Sequence, residues 1–208
     1  MCKKLLLLLV ASIAFPVAAG AATVQLPQTG QKTCYSEAGE LLPTCAGTGQ
    51  DGELQTGVAW PSPRFTVNMQ ADGVTPDGTV TDELTGLTWL TNTTCLAPTD
   101  WADALRLANE LSTGECGLAD GSNAGDWRLP NVVEMESLID ISRTLPALPE
   151  GHPFSAPDGS YWTSTTHGHF PNLAWGVNIY DGNVRGAPKD TTTDYRVLPV
   201  RGGQLPTE

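Results

Sequence analysis

Gly125-Asp126-Trp127-Arg128-Leu129-Pro130-Asn131-Val132-Val133-Glu134-Met135-Glu136-Ser137-Leu138-Ile139 is the stretch on which the fold turns. Asn131 stands three residues before Glu134, the spacing of a capping box, in which each side chain satisfies the other's backbone N–H. Val132, Met135, Leu138 and Ile139 then recur at helical intervals, so the segment reads as a helix with one apolar face. Glu134 is thereby assigned to capping rather than catalysis. Upstream, Thr99 precedes a second amphipathic segment, Asp100 to Leu111, whose Trp101, Ala104, Leu105, Ala108 and Leu111 share one face, with Thr99 as the expected N-cap.

Strand patterns flank these helices. Residues 64–69, 78–82 and 85–90 alternate and are divided by Asp-Gly and Thr-Gly turns, the signal of a β-meander. After Pro146 come residues 161–165, then 174–180, a turn at Asp181-Gly182, a partner beginning near Val184, and a last strand over 195–200. Strands, two helices and strands again specify an α+β single domain.

The 208 residues carry 11 Lys+Arg against 23 Asp+Glu, a net charge of −12 that disfavours a nucleic-acid partner. With 40% hydrophobic residues the chain can build a core, and 22 Gly with 16 Pro make it loop-rich. Lys3 and Lys4, the apolar run Leu5 to Phe15 and the Ala19-Gly20-Ala21 site read as a signal peptide over 1–21, so the protein is expected to be exported, periplasmic or extracellular, with no integral membrane segment after cleavage. Cys2 precedes the apolar run and is not placed to carry a lipid.

Residues 22–63 form an irregular lead-in, and the domain is expected over 64–204. Leu26-Pro27-Gln28-Thr29-Gly30 spells a sortase pentapeptide without the apolar and basic context that signal requires. Cys34, Cys45, Cys95 and Cys116 remain, an even number that implies disulfides in an oxidising compartment. Three pairings are open; Cys34 with Cys45 and Cys95 with Cys116 are favoured because each closes a short loop. Zinc is disfavoured, since there is no C-x-x-C spacing.

The order Trp60-Pro61-Ser62-Pro63-Arg64-Phe65, Asp82-Glu83-Leu84-Thr85-Gly86-Leu87-Thr88-Trp89, Gly125-Asp126-Trp127-Arg128-Leu129-Pro130, Tyr161-Trp162-Thr163-Ser164-Thr165 and Val200-Arg201-Gly202-Gly203 resembles the Lcl C-terminal domain-like family. The resemblance implies a C-type-lectin-like fold, related to formylglycine-generating enzymes, and a binding module like the glycosaminoglycan-binding domain of the adhesin that names the family. It also implies structural roles for Asp126, Trp127, Arg128, Pro130, Trp162 and Arg201. Neither Glu-Pro-Asn, Gln-Pro-Asp nor Trp-Asn-Asp occurs here, and every cysteine lies at or before Cys116. Calcium-dependent sugar binding of the lectin kind and oxidase chemistry are therefore not expected.

Candidate sites follow from residue chemistry. Trp175, Asn178, Tyr180 and Asp181 lie together on one hairpin, offering aromatic faces for a sugar ring and polar groups for its hydroxyls. Asp120, Asn123 and Asp126 supply oxygen ligands on a Gly-rich loop suited to a structural calcium. His167 and His169 could share a metal, which would make the chain a metal-dependent hydrolase, although an exposed polar loop is the favoured reading. Arg185, Lys189, Arg196 and Arg201 would form a basic patch if the strands gathered them. No nucleophile elbow or phosphate loop is present. The expectation is a non-catalytic binding module for a glycan or protein at the cell envelope, with a structural subunit of an envelope assembly as the other alternative.

Overall fold

The computed structural model describes residues 26–203; the expected signal peptide over 1–21, residues 22–25 of the lead-in and residues 204–208 lie outside them. A one-turn helix α1 (Asp51–Leu54) in the lead-in precedes β1 (Phe65–Met69), β2 (Pro76–Asp82) and β3 (Leu87–Leu90). Then come helices α2 (Trp101–Glu110) and α3 (Val132–Ser137), followed by β4 (Ser160–Thr166), β5 (Leu173–Asn178), β6 (Val184–Pro188), β7 (Tyr195–Arg196) and β8 (Val200–Gly202). The result is a small mixed α+β domain in which most strand pairs are antiparallel.

Two four-stranded sheets, ordered β1-β2-β3-β8 and β6-β5-β4-β7, carry the fold. The terminal stretch, which alternation reads as one strand over 195–200, serves both sheets. β7 pairs parallel with β4, then Val197-Leu198-Pro199 crosses over, and β8 pairs antiparallel with β3. Pro199 has no N–H to give a ladder, so the strand breaks where the chain changes sheet.

The second sheet is buried on both faces. Tyr161 and Val177 enter the main core with Val80, Trp89, Trp127, Met135, Leu138 and Leu198. Trp162, Ala174, Ala187 and Tyr195 face a second core closed by Ala104 and Ala108 of α2. Gly176 lacks a Cβ because the Tyr195 ring occupies that space, and Tyr195 in turn stacks on Trp162 with centroids 4.2 Å apart.

Helix starts follow local chemistry. Asn131 and Glu134 form the reciprocal capping box of α3. For α2 the cap is Asp100, not Thr99: the Asp100 carboxylate accepts from the Asp103 N–H, while the Thr99 carbonyl receives the Trp162 indole N–H at 2.9 Å. Disulfides join Cys34 to Cys45 within the lead-in and Cys95 to Cys116 across α2. Among the described residues no helix is long and apolar enough to cross a membrane. Disulfides without such a helix are consistent with an exported protein.

The lead-in is seated on the domain. The Ile141 N–H donates to the Thr29 carbonyl across the two, while within the lead-in the Trp60 indole N–H donates to the Gln28 carbonyl. Gly30 has φ +87°, and a Cβ there would collide with Asp140 and the Trp60 ring, so only glycine allows this approach.

Candidate functional site

Four regions carry chemistry. The first is a lock around the turn before α3. The Trp127 indole N–H donates to Ser122 Oγ at 3.0 Å, and the Ser122 hydroxyl donates to Asp120 Oδ1 at 2.7 Å. Asp120 Oδ2 lies 3.1 Å from Arg201 Nη1, and the Arg201 guanidinium lies over the Trp127 ring at 5.0 Å. Arg128 and Val200 exchange backbone hydrogen bonds, and Arg128 forks onto Glu134 with both contacts at 2.7 Å while also donating to the Gly202 carbonyl. These side chains tie the loop, α3 and β8 into one unit.

This closure leaves a cation little room. Asp120, inward and paired with Arg201, presents its carboxylate to a guanidinium, whereas Asn123 and Asp126 are exposed and joined by an Asn123 N–H to Asp126 Oδ2 contact of 2.8 Å. A divalent ion held by Asp120 would have to sit beside the Arg201 guanidinium, although Asp120 Oδ2 accepts no hydrogen bond among the described residues.

The second region is the β5–β6 hairpin. Residue alternation puts Trp175 and Asn178 on opposite faces of β5, and His167 stacks on Trp175 at 4.5 Å. Asn178 Oδ1 accepts from the Tyr180 N–H at 2.8 Å, and Asp181 Oδ1 accepts from the Asn183 N–H at 3.1 Å. Those polar groups shape the turn, and the Tyr180 ring is exposed.

The third region is the β4–β5 connection. His167 Nδ1 accepts the backbone N–H groups of His169 and Phe170, so that lone pair holds the turn. Among the described residues no group of three His, Cys, Asp or Glu side chains is placed to hold a metal. Three of the late cations have partners of their own: Arg196 pairs with Asp158, Arg201 with Asp120, and Lys189 lies over Trp101 at 4.0 Å.

The fourth region is a groove of about 750 Å³ between the lead-in and the domain, lined by Trp60, Arg64, Phe65, Asp140, Arg143 and Glu150 among others. Arg64 is 7% exposed, forks onto Asp82 through Nε and Nη2, and donates through Nη2 to the Ser137 carbonyl. Its Nη1 has no partner among the described residues. The guanidinium lies 4.6 Å from the Trp60 ring centre and 5.2 Å from that of Phe65. Asp140 uses Oδ1 on the Ser142 N–H and hydroxyl, and Arg143 reaches Glu150 at 3.5 Å. Nearby, burial and the Arg143 charge push the His152 pKa below its ordinary value.

The Lcl C-terminal domain family model matches residues 78–201, more than half of the chain. The chain belongs to the Lcl C-terminal domain family. No curated protein matches it.

The Lcl C-terminal domain match begins inside β2, yet β1 pairs with β2 through Phe65, Thr66, Val67 and Met69, so the folded sheet extends ahead of the matched segment. Trp127, Arg128 and Arg201, three of the six motif residues of the resemblance, belong to the lock. The groove instead joins the lead-in to the domain, and its Trp60, Arg64 and Phe65 were visible in sequence only as a motif. Asp140 and Glu150 carried no signal of their own, because tertiary approach through Gly30 and the 140–151 loop brings them there.

Proposed function

We propose that this protein is an exported, non-catalytic binding module with a C-type-lectin-like fold, holding a glycan or protein ligand at the cell envelope in the groove between its lead-in and its domain. The observation that carries this reading is the Arg64 guanidinium: buried, flanked by Trp60 and Phe65, and with Nη1 lacking an acceptor among the described residues. An unpartnered buried donor costs about 1–3 kcal/mol, and a ligand oxygen that displaced the groups covering Nη1 would relieve that cost. An aromatic wall with a few convergent polar groups is the usual make-up of a ligand site. Membership of the Lcl C-terminal domain family supports a binding role through the adhesin domain that names it, and the disulfides support export.

The test is a glycan array together with crosslinking to envelope proteins, using the oxidised chain after signal removal. The reading expects a ligand retained by the wild type and lost on Trp60→Ala. Retention that is indifferent to Trp60→Ala on a folded sample contradicts the groove.

A further inference from the structure

We infer that the groove takes an uncharged saccharide, whose hydroxyls accept from Arg64 Nη1 and donate to Asp140 Oδ2; this rests on the groove being the ligand site. Charge accounting comes first. Arg64 is matched by Asp82 and Arg143 by Glu150, which leaves Lys32 and Asp140 as one further cation and one further anion on the walls. The walls carry Lys32, Arg64 and Arg143 with Asp140 and Glu150, and Asp82 behind them neutralises Arg64, so a groove in a chain of net charge −12 has no surplus to hold a polyanion or a polycation.

Hydrogen-bond capacity comes second. Arg64 Nη1 needs an acceptor, while Asp140 has an oxygen beyond the one engaged by Ser142 and accepts only. A ligand meeting both must accept and donate, as neighbouring hydroxyls on a sugar ring do. Trp60 and Phe65 supply apolar surface for the C–H face of such a ring.

An extended peptide fits less well. Pro61, Pro63 and Pro149 line the same walls and have no N–H, so they cannot contribute to a ladder with an added strand.

The experiment titrates the oxidised chain with cellohexaose, maltohexaose, chitohexaose and, as the anionic arm, hexagalacturonate, by calorimetry. It compares wild type with Asp140→Asn, which keeps the side-chain shape, and with Trp60→Ala; melting temperatures confirm folding. The expected result is that at least one neutral hexasaccharide binds, that Asp140→Asn weakens it about tenfold or more without lowering the melting temperature, and that hexagalacturonate binds more weakly.

Tighter binding of hexagalacturonate overturns the inference. So does the failure of every neutral sugar; if an envelope protein then crosslinks through a photoreactive group at position 143, the groove reading stands while the saccharide falls. Neutral-sugar binding indifferent to both substitutions overturns the groove reading and this inference together.

Discussion

Arg64 and Asp82 are the deepest ion pair described, with side chains 5% and 0% exposed, and the Asp82 carboxylate also receives the Leu84 N–H and the Thr85 hydroxyl. Because both side chains are almost wholly buried, removing one strands the other. Asp82→Asn is expected to cost about 3–5 kcal/mol in urea unfolding, whereas Arg64→Met with Asp82→Leu should recover much of that loss. If the single substitution leaves the midpoint unchanged, the pair is not the structural element described. Glu134 carries a pH signature. Burial raises its pKa, but the Arg128 fork and the Asn131 N–H outweigh burial and hold it below the ordinary value of 4.5. Its stabilising effect is therefore complete above the unfolded value and lost as pH falls through the lower folded one. Glu134→Gln should flatten the acid limb of stability against pH in that window; an unchanged limb would contradict the assignment. The reading of Glu134 as a cap rests on its spacing from Asn131, which is local and visible in sequence. The burial of Arg64 comes from Ser137, Trp60 and Phe65 packing around it, and only Trp60 and Phe65 are sequence neighbours.

At the level of elements, α3 was legible because capping box and apolar stripe agree. Asn131→Ala should cost about 1 kcal/mol in thermal or urea unfolding. The division of residues 195–202 between two sheets was not legible, since alternation records burial but not which partner strand provides it. The hairpin shows a related effect: Trp175 and Asn178 are close in sequence, but a spacing of three places them on opposite faces. Gly176→Ala is expected to push Tyr195 off Trp162 and lower the melting temperature by several degrees, as overpacking costs about 1–3 kcal/mol in a dense core. Each disulfide acts on its own element. Replacing Cys95 and Cys116 by alanine should remove about 3 kcal/mol from domain stability. The same change at Cys34 and Cys45 should loosen the lead-in, read as faster amide exchange around Gly52, whose missing Cβ admits Thr33 and Cys34.

At the scale of the whole molecule, the lead-in and the domain build the groove together, and no single segment of sequence contains it. Composition gave the acidic character of the chain, but the balance of charge along the groove depends on which acid meets which base in three dimensions. The lock of Asp120, Ser122, Trp127 and Arg201 explains why the family motifs at 125–130 and 200–203 recur in one chain: they are two sides of one contact. Such residues stabilise the scaffold, while the groove beside them offers the unsatisfied donor that a ligand can use. The most direct measurement follows the assigned indole N–H resonances of Trp60 and Trp175 as the oxidised chain is titrated with its best-binding neutral hexasaccharide. The groove account predicts that the Trp60 resonance shifts to saturation while Trp175 stays in place. A saturating shift at Trp175 with Trp60 unmoved would contradict it.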